Sequence, residues 1–390
     1  MTPPSEFDAI VIGAGSVGNP TAYFLAKEGL RVLVLEELSA SGQGQNKAAI
    51  GGVRATHSDP AKIRLCQSSL EVFSGWKETT GTDIGWKKGG YCFPAYDEKV
   101  EATLRGLLPV QHRFQLAIDW LDAPGIAQVV AGINRDGLRG GTFSPEDGQV
   151  SPLKAAQSFT NEAARHQAVY RYGEAVGSFL TEGNAVVGVR TNRGDYRAPV
   201  VVNTSGVHAT QLCATLGLDI PILPDSHEAG ISAPVQQFLG PLVVDLRPGP
   251  EGKTINFYFG QDSEGQIIFC YTPKVPISGE NRTSTYEFMP IIAARLVEVI
   301  PRLKNHTIRR VWRGLYPMTP DGSPVLGWAP KVRGLLLGVG MCGQGFMLGP
   351  GVGRNLASLV THDRPEIDPD VFALLSPSRD FYRAKKEALK

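Results

Sequence analysis

The stretch "DAIVIGAGSVGNP", residues 8–20, constrains this chain more than any other. Residues 7–12 form a short apolar run of the kind a buried parallel strand shows, and Gly13-x-Gly15-x-x-Gly18 follows at once. "SVGNPTAYFLAKEGL" then sets Val17, Ala22, Phe24, Leu25 and Leu30 among polar positions, which predicts a helix stopping at Gly29. Pro20 falls in the first turn of that helix, where proline is tolerated. "RVLVLEE" reads as a second strand ending in Glu36, 23 residues beyond Gly13. That is close to the ~20 expected of an acid that hydrogen-bonds a ribose hydroxyl. In a chain with 45 glycines the spacing alone is weak. The whole order of strand, glycine turn, helix, strand and acid is not. It predicts a cradle whose glycines let the backbone approach a pyrophosphate, with a helix N-terminus supplying amide donors. Glu36 disfavours a phosphorylated ribose and so disfavours NADP. NAD and FAD both remain open from these residues.

At 390 residues the chain is long for one core, and two domains are expected. Lys plus Arg (39) nearly balances Asp plus Glu (38), which gives no support to a nucleic-acid partner. Five scattered cysteines without a CxxC pair suit a reducing compartment and predict neither a disulfide framework nor a metal site. No secretory signal is read at the start, and the late apolar run is too glycine-rich for a span, so the expected location is cytoplasmic, with peripheral membrane contact left open. Helical patterning covers roughly 60–78, 97–122 and 151–166, with strand-rich sequence from about 169. "AVVGVRTNRGDY" predicts a hairpin, and "RAPVVVNTSG" a buried strand closing on Gly206. Residues 227–316 alternate short strands with one helix at about 286–299. "RGLLLGVG" and "FMLGPGVGRNLASLVT" then return to strand, glycines and helix. This order predicts an α/β chain: a nucleotide-binding domain from separated segments with an inserted strand-rich domain.

These segments resemble the FAD-dependent amino-acid oxidase superfamily, which includes glycine oxidase, sarcosine oxidase and the β subunits of proline dehydrogenases. The resemblance rests on "VIGAGSVG…VLVLEE", "GGVR" (51–54), "PEDGQVSP" (145–152) and "VVNTSG" (201–206). Its most specific parts are "WRGLYPMTPDGSPVLG" (312–327) and "GMCGQGFMLGPGVGRNLASLV" (340–360). It implies FAD over NAD and a glutathione-reductase-like, Rossmann-type FAD domain with an inserted mixed-sheet α+β substrate domain. The expected spans are 1–95, 145–225 and 317–390 for the FAD domain, and 96–144 and 226–316 for the substrate domain. It also implies oxidation of a C–N bond in a small amine or amino acid of the proline, sarcosine or glycine type, with hydride passing to flavin. The electron acceptor would be oxygen, a quinone or a partner subunit, and a hetero-oligomer stays open. The other reading is a flavoprotein subunit that relays electrons without a reaction of its own.

By the same resemblance, Gly13, Gly15, Gly18 and Glu36 hold the cofactor, joined by Asn46, Lys47, Ala48, Gly51, Gly52, Gly206 and Gly314. Val176, placed in the first strand after the middle helix, lies on the adenine side. Gly343, Gln344, Gly345, Phe346 and Met347 form the loop and helix start that face the flavin ring, where amides meet negative charge. Gly314 stands where monomeric sarcosine oxidase carries its flavin-linking cysteine, so the FAD is expected to be non-covalent. For the substrate, Arg54 is the expected carboxylate partner, since an unpaired buried charge is costly. Tyr316 and Met347 supply a hydroxyl and an adaptable apolar wall. His57, His208 and His227 read as structural, and Cys342 as a small buried apolar residue.

Overall fold

The computed structural model describes residues 7–382. Its first sheet has six strands in the order Val325–Trp328, Leu335–Val339, Val200–Asn203, Ala9–Ile12, Val32–Glu36, Val169–Tyr172. All neighbours are parallel except the antiparallel edge strand Val325–Trp328. Strand alternation sends side chains to two different layers. Ala9, Val11, Val32 and Val34 pack with Leu25, Leu65, Phe159 and Val352 of the covering helices. Ile10, Ile12, Leu33 and Leu35 pack instead with Phe179, Val186 and Val189. Those three residues belong to a three-stranded antiparallel sheet formed by Val176–Glu182, Ala185–Thr191 and Asp195–Arg197.

Four helices cover the first face: Gly18–Lys27, Pro60–Ser74, Pro152–Arg165 and Gly345–His362. Two of them start on side-chain caps followed by proline. Asp59 accepts from the amides of Ala61 and Lys62, and Ser151 from that of Lys154. The glycine-rich run of the last helix has a packing cause. A Cβ at Gly349 would stand 1.9 Å from the Ser16 carbonyl oxygen, and one at Gly351 2.1 Å from that of Leu65. Each helical glycine costs about 1 kcal/mol against alanine. Here it lets one helix lie backbone-to-backbone against two others. Among the described residues no helix is long and apolar enough to cross a membrane.

The second large sheet has eight strands, ordered Ile308–Met318, Leu223–Pro234, Gln266–Pro273, Thr254–Gln261, Leu242–Asp245, Tyr91–Ala95, Gly140–Ser144, Asp119–Asp122. Only the pair Leu242–Asp245 and Tyr91–Ala95 is parallel. Phe257, Phe259 and Phe269 turn toward Ile292 and Leu296 of the helix Phe288–Val299. Tyr258, between two of them, is turned the other way, into a cavity. Sheet membership places Tyr91–Ala95 in this second layer, together with residues 223–225 and 317–318.

Three helical expectations change. The 60–78 stretch is two helices, Pro60–Ser74 and Trp76–Thr80, parted at Gly75. The 97–122 stretch is helical only over Glu98–Arg113, because the chain turns left-handed at Gln115 and Asp119–Asp122 pairs as an edge strand. The late helix begins at Phe288.

Candidate active site

The two large sheets enclose a cavity of about 550 Å³, within the size range of ligand sites. The glycine loop forms one end. Gly13 has φ +97°, and a Cβ at Gly18 would lie 1.8 Å from the Gly13 carbonyl oxygen, so both positions are closed to larger residues. Around Gly15 nothing lies within 4 Å of a would-be Cβ, and that residue opens onto the cavity. Glu36 is buried and braces the loop. Its Oε2 accepts from the Ala14 amide at 2.8 Å and its Oε1 from Leu38 at 2.9 Å, while burial holds its carboxyl above the usual range.

The middle of the cavity is where the two layers are tied together. The short turn Asn46–Ala48 lies under the strand Ile308–Met318, and a Cβ at Gly314 would come within 2.6 Å of that of Ala48. Trp312 Nε1 donates to the Ala48 carbonyl at 3.0 Å, and the Leu315 amide to Gln45 at 2.7 Å. Gln344 precedes the 18-residue helix Gly345–His362. Its Oε1 is buried without a protein donor among the described residues, so a ligand that donates a hydrogen bond suits the position.

At the other end stand Arg54, Tyr316 and Tyr258. The two-residue strand Gly52–Val53 pairs with Gly148–Gln149 and delivers Arg54 to the cavity wall. Arg54 is buried, with its guanidinium 5.5 Å from the Phe93 ring centre and Nη1 donating to the Thr56 carbonyl. Asp147 lies behind it, accepting from the Ala55 amide at 2.9 Å and from the Ser144 hydroxyl. Burial pushes the Asp147 carboxyl up to about 6, against the pull of its hydrogen bonds and of Arg54. The Tyr316 and Tyr258 hydroxyls are 3.0 Å apart, and burial raises both phenols, so each stays a neutral hydroxyl at ordinary pH. The Tyr316 ring stacks on His227 at 3.9 Å and lies against Gly343, where a Cβ would be 2.4 Å from it.

A family model described as FAD dependent oxidoreductase matches residues 8–359. The chain belongs to the FAD-dependent oxidoreductase family. It is 28% identical over 375 residues to glycine oxidase of Pseudomonas aeruginosa, covering 93% of this chain and 97% of the relative. It is 25% identical over 390 residues to mouse mitochondrial sarcosine dehydrogenase, covering 94% of this chain but only 41% of that protein. The chain thus spans under half the length of the mitochondrial dehydrogenases it matches. The crystal structure of L-proline dehydrogenase from P. horikoshii superposes with TM-score 0.89 at 29% identity, covering 97% of this chain and 98% of that one. FAD is accordingly the cofactor of this flavoprotein, and the open Gly15 turn, the buried Glu36 and the unpartnered Gln344 oxygen fit it.

Gly13, Gly15, Glu36, Asn46, Ala48, Gly51, Gly52, Val176 and Gly206 all line the cavity, as do Arg54, Gly314, Tyr316 and residues 343–347. Gly18 and Lys47 do not. Gly18 supports the turn from behind, and Lys47 is solvent-exposed. Val176 opens the second strand after the helix Pro152–Arg165, not the first. Sequence reading missed Tyr258 and Asp147. The alternation Phe257-Tyr258-Phe259 signalled a two-faced strand, and Asp147 sits inside the quoted "PEDG".

Proposed function

We propose that this flavoprotein oxidises the C–N bond of a small amino acid or secondary amine. The observation that carries the reading is Arg54, a buried guanidinium on the wall of a cavity that also holds the neutral Tyr258–Tyr316 hydroxyl pair. A buried cation favours a carboxylate as its ligand. Bound FAD supplies an acceptor for the hydride leaving the substrate carbon. The chain's own residues do the rest. Arg54 fixes the carboxylate, and Met347 with the ring of Phe93 gives an apolar wall. The paired tyrosine hydroxyls accept a hydrogen bond from the amine and orient it with its lone pair free. Electrons leave the substrate carbon as hydride while nitrogen forms the C=N bond and its proton passes to water.

Names of the relatives supply the substrate class: glycine oxidase, sarcosine dehydrogenase and L-proline dehydrogenase all act on small amino acids by name. The test is a screen of proline, hydroxyproline, sarcosine, dimethylglycine, glycine and D-amino acids against the oxidised holoprotein under nitrogen. Loss of the yellow colour with one of them supports the reading. Admission of air then separates oxygen from a quinone or a partner subunit as acceptor. A flavoprotein that no amine reduces would be the electron relay instead.

A further inference from the structure

Along the strand Tyr91–Ala95 the side chains alternate between the two faces of the second sheet. Tyr91 and Phe93 line the cavity, while Cys92 between them packs with Phe257 and Phe259 on the helix side. The Tyr91 and Phe93 rings stack with 6.4 Å between centres, and the Arg54 guanidinium lies over Phe93. Tyr91 is only 4% exposed, yet its hydroxyl makes no hydrogen bond with any of the described residues. It differs in this from Tyr258 and Tyr316, whose hydroxyls bond to each other.

Gly52 fixes where the Tyr91 hydroxyl stands. A Cβ on Gly52 would lie 1.9 Å from that oxygen, so Tyr91 fills the slot of a missing side chain. Gly52 and Arg54 both line the cavity, whereas Val53 between them is packed into the core of the other layer. The hydroxyl is therefore on the same side of this segment as the Arg54 side chain, one alternation away. Burial raises the phenol, against the pull of the Arg54 charge, so it keeps its proton. The wall around it offers that proton no side-chain acceptor: Phe93, Leu242 and Val244 are apolar, and Arg54 carries donors alone. A buried O–H without an acceptor is costly, which favours an occupant that supplies one. Two neighbouring donors, one of them charged, match the two oxygens of a carboxylate.

We propose that the Tyr91 hydroxyl donates to the substrate carboxylate beside Arg54, so that the carboxylate subsite is a two-donor clamp seated on Gly52. The inference rests on the amino-acid reading above and completes its division of labour. Arg54 and Tyr91 donate to the acid end of the substrate, and the Tyr258–Tyr316 pair accepts from the amine end. Phe93 and Val244, on adjacent strands, form the apolar floor between them.

The experiment titrates the oxidised holoprotein with acetate, a carboxylate with no C–N bond to oxidise, and follows the flavin absorbance. Tyr91→Phe removes the hydroxyl and keeps the ring. It should weaken acetate roughly 10- to 150-fold, as for a lost hydrogen bond to a charged group, and leave FAD affinity unchanged. In flavin reduction under nitrogen, the requirement for proline or sarcosine should rise by a like factor, and that for pyrrolidine or dimethylamine should not. Unaltered acetate affinity in Tyr91→Phe overturns the clamp. An equal loss for amino acid and amine, or a loss of FAD, overturns it too and gives the hydroxyl to the fold or the flavin. Acetate weakened by Arg54→Met but not by Tyr91→Phe removes the Tyr91 assignment alone and leaves the amino-acid reading standing. A wild type that neither binds acetate nor is reduced by any amino acid overturns both.

Discussion

His227 stacks on Tyr316 with 3.9 Å between ring centres, while its Nε2 lies 3.1 Å from the Asp225 carboxylate. One face of Tyr316 is thus set by a ring that is itself held, and its hydroxyl is set by Tyr258. Tyr316→Phe should lower kcat/KM by about 0.5–1.5 kcal/mol in transition-state terms, the worth of one neutral hydrogen bond. Because the two hydroxyls share that bond, Tyr258→Phe in the Tyr316→Phe background should cost less than it does alone. Steady-state kinetics on the double-mutant cycle decides this, and strict additivity would mean that the two hydroxyls act separately.

Arg54→Met should leave FAD in place while removing the buried cation. Its effect should be steep for an amino acid and small for the amine lacking the carboxylate. Titration of flavin reduction with both compounds gives the comparison. Equal losses for the two would assign Arg54 to the fold or the flavin.

Glu36→Ala should weaken FAD binding by roughly 1.5–3 kcal/mol, as expected for a charge-assisted hydrogen bond. The same carboxylate braces the Ala14 amide, so the loss includes a looser glycine loop. Fluorescence titration of the stripped chain with FAD measures it. Wild-type affinity in the variant would place the ribose elsewhere.

Asp147 makes stability depend on pH in a direction opposite to that of a salt-bridged carboxylate. Its ordinary value is 3.8 and its folded value about 6, so between them the folded chain holds more protons than the unfolded one. Its contribution therefore falls as pH rises from about 4 to about 6 and is level above, a change of up to about 3 kcal/mol. Denaturant midpoints for wild type and Asp147→Asn across that window test this. Parallel pH profiles for the two would show that the group does not titrate there.

The first βαβ unit was legible because every signal in it is local: apolar run, glycine spacing, helix stop and terminal acid fall within 30 residues. The glycine-rich last helix was legible as a helix, but not the reason for its glycines, which is contact with Ser16 and Leu65 far away in sequence. The strand Asp119–Asp122 was read as helix because an edge strand with no fully buried residue carries little apolar pattern. Tyr258 escaped notice for another reason. Alternation shows that a strand has two faces, and only the packing of the two sheets decides which face meets the cavity.

Gly314 lies against Ala48 with no thiol beside it in sequence, and non-covalent FAD is the outcome we expect. Acid precipitation should leave the yellow colour in the supernatant, whereas colour in the pellet would show a covalent link.

The most direct measurement is the absorbance of the oxidised flavin under nitrogen during titration with proline, sarcosine and glycine, beside their decarboxylated amines. The expected result is loss of the yellow band with at least one amino acid at lower concentration than with its amine. A flavin that dithionite reduces but that none of these compounds does would contradict an amino-acid-oxidising site.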